Sequence, residues 1–147
     1  MKQEYKELLL KDLCARLPYG VKCENYNHID GRNVFKVTDI RDNGYICGTV
    51  NNHYCWAIFD PLELKPYLFP LSSLTEEQRN YISKLLIDTQ NEFPPYGELN
   101  TKGCDNLFVC SVKQSNALIN YCLANHLDIN GLIEKGLAID ATGLDIY

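Results

Sequence analysis

Apolar and polar positions recur with two different periods along this chain, and the change of period separates helical from extended parts. From Lys2 to Leu17 the apolar residues lie three and four positions apart, as in an amphipathic helix, and Pro18 ends that pattern. Val21 to Tyr26 and Val34 to Ile40 are extended and rich in β-branched residues. The pattern therefore predicts one helix followed by two strands.

The stretch from Gly44 to Phe59 predicts two more strands, joined by a turn at Asn51-Asn52. It contains the single tryptophan, two of the seven cysteines and one of the three histidines. Four consecutive strands with short connections predict an antiparallel meander, because parallel neighbours need long crossover connections.

Prolines and capping boxes organise the second half of the chain. Residues 65–71 are apolar and bracketed by prolines, which favours an edge strand or a packed crossover. Thr75 to Gln78 form a capping box that predicts a helix over 76–91, and a second box at 111–114 predicts another helix. Breakers between 93 and 103 predict a loop of about a dozen residues between these helices.

The last part of the chain predicts short elements. The helix after the second capping box has an apolar face that includes Leu118 and Ile119. Asn130 is predicted to cap one further helical turn that ends at Gly136, and the residues after it are predicted to be extended. The expected fold is α+β in a single domain, 1–147: an N-terminal helix, a four-stranded antiparallel meander, then two main helices and a short C-terminal element.

Charge and hydropathy narrow the classes of function. The net charge is −5, from 14 Lys+Arg and 19 Asp+Glu, and no basic cluster exceeds isolated pairs, which argues against general nucleic-acid binding. No apolar run reaches the ~18 residues of a membrane span, and the charged N-terminal residues lack the pattern of a signal peptide. We therefore expect a cytoplasmic protein that does not bind membranes.

The common catalytic and cofactor motifs are absent from the sequence. It has no Walker-type phosphate loop, no Gly-x-Gly-x-x-Gly and no Gly-x-Ser-x-Gly, and its cysteines form no Cys-x-x-Cys. His53 and Cys55 share one face of a strand, but packing is the favoured interpretation over a reactive pair or a metal site. We expect buried free thiols, no cofactor, no metal and no enzymatic activity. Pairs of acidic residues leave a small hydrolase open as an alternative.

The remaining signal is a set of aromatic residues on one face of the predicted hairpin. A two-residue turn places three pairs opposite one another: Tyr45 with Ile58, Cys47 with Trp56 and Thr49 with Tyr54. Rings with polar tips suit a surface that stacks on a flat ligand or is buried against a second subunit, although a purely structural core is the alternative. Flanking cationic and hydroxyl groups can contact a phosphate. The predicted ligand-binding residues are Tyr45, Thr49, Tyr54, Trp56, Arg41, Lys65 and Tyr67.

Two segments, KPYLFPLSSLTEEQ at 65–78 and NGLIEKGLAID at 130–140, resemble a family of short uncharacterised proteins. That family is encoded by gut bacteria of the Bacteroides group and by phages that infect them, and it has no assigned catalytic residues. By analogy, the resemblance implies a phage or prophage-type inhibitor of a host system. The leading hypothesis is a non-enzymatic protein that sequesters a small nucleotide-like signal to inhibit a host defence. The alternatives are a protein-interaction module, or a homodimer formed through the aromatic sheet face, and the hydrolase.

Overall fold

A computed structural model describes residues 2–25, 34–42, 44–50, 53–91 and 115–147, with side chains throughout except at 53–58 and 86–91. The chain divides into two compact units, Met1–Ser73 with Leu123–Tyr147, and Leu74–Cys122. The single domain expected from the sequence stays a prediction. Within the described ranges, no helix is long and apolar enough to cross a membrane.

The helices and strands follow the predicted order. They are α1 (Lys2–Arg16), β1 (Lys22–Asn25), β2 (Val34–Ile40), β3 (Ile46–Val50), β4 (His53–Phe59), β5 (Leu64–Leu68), α2 (Glu76–Asn91), a helical run α3 at 115–124, and β6 (Ile139–Asp140). The α+β class is therefore confirmed. The predicted loop at 93–103 and the capping box at 111–114 lie outside the described residues.

The strands that the structure describes form one mixed sheet in the order β4-β3-β2-β1-β5-β6. All neighbouring strands are antiparallel except β5 and β6, which are parallel. The prediction of a sheet with only four antiparallel strands is thus wrong, because β5 pairs with the free edge of β1 and β6 adds a parallel strand. Pro66 is tolerated inside β5 because β6 pairs only with Tyr67 and Leu68, which leaves the proline without a strand partner on that side.

The predicted capping box at the start of α2 is confirmed. The Thr75 N–H donates to Gln78 Oε1 at 3.0 Å, and the Gln78 N–H donates to Thr75 Oγ1 at 3.2 Å. In the same unit the rings of Tyr81 and Tyr121 lie 4.5 Å apart. Two main helices are not clearly distinguished among the described residues, since α3 is a ten-residue run, and Ile119 is 46% exposed rather than part of an apolar face.

The core of the first unit lies between α1 and one face of the sheet. Leu9 and Leu13 of α1 are fully buried with apolar residues from β1, β2, β3 and β5: Cys23, Phe35, Val37, Ile46, Leu64 and Leu68. Gly48 of β3 lies directly over Phe35. A Cβ atom there would come within 2.1 Å of a backbone oxygen of β2, so the core requires glycine at this position. The opposite sheet face, which we call the outer face, carries the polar residues of the strands.

The hairpin register is correct near its turn and wrong further away. Thr49 pairs with Tyr54 as predicted, next to the pair Val50–His53. A register shift between Ile46 and Gly48 then brings Ile46 opposite Phe59. The predicted pairing of Tyr45 with Ile58 is therefore wrong, because β4 contributes two more residues to this interval than β3 does.

Candidate functional site

The predicted ligand-binding residues do not form one cluster. Arg41 and Tyr45 lie at the turn between β2 and β3, where the Arg41 N–H donates to the Tyr45 carbonyl at 2.9 Å and the Tyr45 side chain is 40% exposed. Thr49 lies four residues along β3 from Tyr45, roughly 13 Å away. The side chains of Tyr54 and Trp56 lie outside the described residues.

Lys65 and Tyr67 lie on β5, three strands across the sheet from Thr49 on β3. Because neighbouring strands are ~4.8 Å apart, β3 and β5 are separated by roughly 14 Å. Tyr67 is only 3% exposed, and its hydroxyl lies 3.5 Å from Glu24 Oε1. Its side chain is therefore buried in the protein rather than presented to a ligand. Lys65 is half-buried and pairs with Glu24 across the β1–β5 ladder.

A row of side chains crosses the outer face, and it connects some of the predicted residues to two that the sequence reasoning missed. Tyr54 is opposite Thr49, Thr49 is opposite Lys36, and Lys36 is opposite Lys22. Directly opposed residues of antiparallel strands point to the same face, with Cβ atoms ~5 Å apart. We call Lys22, Lys36, Lys65 and Thr49 the lysine face.

The lysine face is locally cationic in a chain whose net charge is −5. Two acidic residues belong to the same strand registers: Glu24, which is opposite Lys65, and the exposed Asp39, three residues along β2 from Lys36. Like charges directly opposite each other destabilise a strand pair, which makes the Lys22–Lys36 pair unfavourable by itself. The alternation of polar and apolar residues along β1 and β2 indicates that Lys22 and Lys36 lie on the outer face. That the two lysines are opposite each other can be known only from the strand register.

Residue Tyr147 contacts the same part of the sheet. Its hydroxyl accepts a hydrogen bond from the Lys22 N–H at 3.2 Å and donates one to the Tyr67 carbonyl at 2.8 Å. The Lys22 ammonium donates to the Ile146 carbonyl and lies 5.6 Å from the centroid of the Tyr147 ring. Burial raises the pKa of the Tyr147 hydroxyl. Tyr147 therefore bridges β1 and β5 as a neutral phenol.

The ring of His126 is stacked on that of Tyr147, with centroids 3.7 Å apart and planes 12° apart. The histidine has a left-handed backbone (φ 54), and its carbonyl accepts from the Phe69 N–H at 2.9 Å. Burial, and to a smaller extent the cations of Arg16 and Lys22, lower the pKa of His126 from 6.5 to about 4. The imidazole is therefore neutral at pH 7.

A buried ion pair supports this region from α1. The Arg16 Nε donates to Asp12 Oδ2 at 2.6 Å, one Nη donates to the Leu127 carbonyl at 2.7 Å, and both charged side chains are fully buried. The Asn130 amide donates to Asp12 Oδ1 at 2.7 Å. Asn130 is therefore not the predicted helix cap. Residues 132–136 form a turn rather than a helix, and Asp128 accepts at its start from the Leu132 and Ile133 N–H groups at 2.8 and 2.9 Å.

Catalytic and metal sites find little support in the described part of the chain. No group of three potential metal ligands occurs there. Burial raises the pKa of the Cys23 thiol far above its usual range, so this cysteine is a poor nucleophile. Cys23, Cys47 and Cys122 are buried free thiols as predicted, whereas Cys14 is exposed. His53 and Cys55 have side chains outside the described set.

A shallow groove of about 350 Å³ lies beside the turn that follows β5. Leu71 and Ile129 line it together with the carboxyl-bearing residues Asp128 and Glu134. Carboxylates repel phosphate, so a phosphate-bearing ligand fits the lysine face better than this groove. The two surfaces therefore differ in charge, and only the first is cationic.

Comparison of the chain with protein-family models, with curated proteins and with solved structures finds no match.

Proposed function

We propose that the chain is a non-enzymatic binding protein that captures a small phosphate-bearing, nucleotide-like ligand on the lysine face. The observation that carries this proposal is the register that places Lys22 directly opposite Lys36, with Thr49 next in the row. A bound phosphate between the two ammonium groups would convert an unfavourable like-charge pair into two charge-assisted hydrogen bonds.

The chemistry of the neighbouring residues also supports capture rather than turnover. The Thr49 hydroxyl is a donor and acceptor opposite Lys36, so it can add a hydrogen bond to a phosphate that is held there. The nearby imidazole of His126 is stacked and neutral, and the Cys23 thiol is buried. We propose that sequestration of such a ligand inhibits a host defence system, in keeping with the resemblance to phage-encoded proteins.

The test is ligand binding by Lys36→Gln. The wild-type protein is titrated with ADP, ADP-ribose, cyclic dinucleotides and inorganic pyrophosphate, and binding is followed by calorimetry and by the melting temperature. Since a hydrogen bond to a charged group contributes about 1.5–3 kcal/mol, Lys36→Gln is expected to weaken the best ligand by roughly 10- to 100-fold. Higher salt should weaken binding of the wild type as well.

Lys11→Gln is the matched control. Lys11 is exposed on α1, which packs against the other face of the sheet, so the same loss of charge should leave the affinity unchanged. Equal losses in both variants would point to the overall charge instead of the lysine face. A folded wild-type protein that binds no member of the panel would refute the proposed function.

A protein-interaction module is the second candidate. In the described strand order β4 has β3 on one side and no strand on the other, and such an edge can pair with a strand of another chain. A homodimer through the aromatic face belongs to the same candidate. Light scattering tests this candidate, because a homodimer through the aromatic face should fall to the mass of one chain in Trp56→Ala or Tyr54→Asp, and an unaltered mass would count against it.

A further inference from the structure

The segment Thr142–Tyr147, which we call the tail strap, ends on the lysine face. Residues 142–145 are exposed, and the strap's last residue supplies the ring that stacks on His126 and the hydroxyl that bridges Lys22 and Tyr67. Tyr147 as a whole residue is 42% exposed, although its hydroxyl is buried between Lys22 and Tyr67. A segment with this little burial opens more easily than the strands beneath it.

The place that Tyr147 occupies has the chemistry of a nucleobase site. It offers one backbone donor, the Lys22 N–H, and one backbone acceptor, the Tyr67 carbonyl, which are close enough to bond the same oxygen atom. Every nucleobase carries a donor beside an acceptor on its pairing edge, and bases stack on histidine rings. The ring of His126 provides the stacking surface at 3.7 Å.

The strap also holds Lys22. The Lys22 ammonium donates to the Ile146 carbonyl and lies over the edge of the tyrosine site, 5.6 Å from the ring centroid. Lys36 extends in another direction, toward Gly20, where an added Cβ would lie 3.5 Å from its ammonium nitrogen. While the strap is in place, the Lys22 ammonium is therefore held by the Ile146 carbonyl, and release of Ile146 would free Lys22 to join Lys36 on one phosphate.

His126 is the stationary member of the stack. Its carbonyl accepts from the Phe69 N–H at 2.9 Å, its own N–H donates to the Leu123 carbonyl at 3.1 Å, and its side chain is only 7% exposed. Tyr147 is the more exposed partner, so exchange of the stacked ring requires only movement of the strap.

We propose that Tyr147 occupies the base-binding part of the ligand site, and that the ligand's nucleobase replaces it between His126 and the backbone groups of Lys22 and Tyr67. This inference rests on the proposed function and adds its regulation: the tail strap competes with the ligand within the same chain. The apparent affinity of a site that is mostly self-occupied is reduced by the fraction of time that it is open.

The test compares ADP, which carries a base, with inorganic pyrophosphate, which does not. Tyr147→Ala removes the competing ring and is expected to bind ADP roughly ten-fold or more tightly than the wild type, since it no longer has to break two hydrogen bonds and a stack. Tyr147→Phe keeps the ring but loses both hydrogen bonds, so it should bind ADP with intermediate affinity. Pyrophosphate affinity should change less in both variants.

Tyr5→Ala, which removes a half-exposed ring from α1 on the other side of the sheet, is the matched control and should bind ADP like the wild type. Circular dichroism checks that each variant is folded. Binding of ADP that is no tighter in Tyr147→Ala than in the wild type would overturn the competition. If pyrophosphate binding still depends on Lys36 in that case, the lysine face survives; if no variant binds either probe, the proposed function fails with it.

Discussion

Acid should destabilise this protein through His126 before most of its carboxylates are protonated. The pKa of His126 is lowered from 6.5 to about 4 by burial and by the nearby cations of Arg16 and Lys22. Between pH 6.5 and pH 4 the imidazole is protonated in the unfolded chain and stays neutral in the folded chain. Stability from this residue is therefore complete above pH ~6.5 and falls as the pH drops toward 4.

The size of the effect follows from the shift. Because one pKa unit corresponds to about 1.4 kcal/mol, the free energy of unfolding should fall by about 3 kcal/mol between pH 7 and pH 4 through His126 alone. For a small domain with a total stability of ~5–15 kcal/mol, this is a large fraction. The stack on Tyr147 should weaken together with it.

The assay is urea denaturation of the wild type and of His126→Asn at half-unit steps from pH 7 to pH 4. Asparagine tolerates the left-handed backbone (φ 54) and does not titrate, so the difference between the two proteins isolates the imidazole. We expect the wild type to lose its advantage as the pH falls. A difference in free energy that stays constant across the range would mean that the imidazole is solvated, and the reasoning would be wrong.

Two further predictions concern stability. Asp12→Ala leaves the fully buried Arg16 without its carboxylate and should lower the free energy of unfolding by about 3–5 kcal/mol in urea denaturation. The double variant Asp12→Leu with Arg16→Met should recover most of that loss. Equal losses in the two variants would show that the pair is solvated. Gly48→Ala places a Cβ 2.1 Å from a backbone oxygen and should cost about 3 kcal/mol or more. Its control, Gly143→Ala, meets no atom within 4 Å and should cost only the ~1–2 kcal/mol of a left-handed alanine; similar melting temperatures would contradict the steric account.

Local signals predicted the elements well and the site only in part. The capping box at Thr75 and the strand Val34–Ile40 were predictable because both depend on neighbours within a few residues. Asn130 was predicted as a cap because its residue type suits one. The amide instead bonds Asp12, which lies 118 positions away in the chain, and Asp128 caps the turn.

The candidate site shows the same division. Lys65 and Thr49 were identified from the sequence, and both belong to the lysine face. Lys22 and Lys36 were missed because isolated lysines on two strands carry no signal until the register sets them opposite each other. Tyr45 was included because the hairpin was expected to be regular along its whole length, and the register shift beyond Gly48 removes that basis. Arg41 was included as a cation that flanks the sheet.

The sequence by itself determined the periodicity of each segment, the helix starts and the faces of the strands, since these follow from residues close together in the chain. Only the tertiary structure decided that β5 would pair with β1, that Arg16 would be buried against the Leu127 carbonyl, and that Tyr147 would reach Lys22. Those contacts depend on strand order and register, because the cost of closing a long loop is nearly the same for many alternative pairings and packing selects among them.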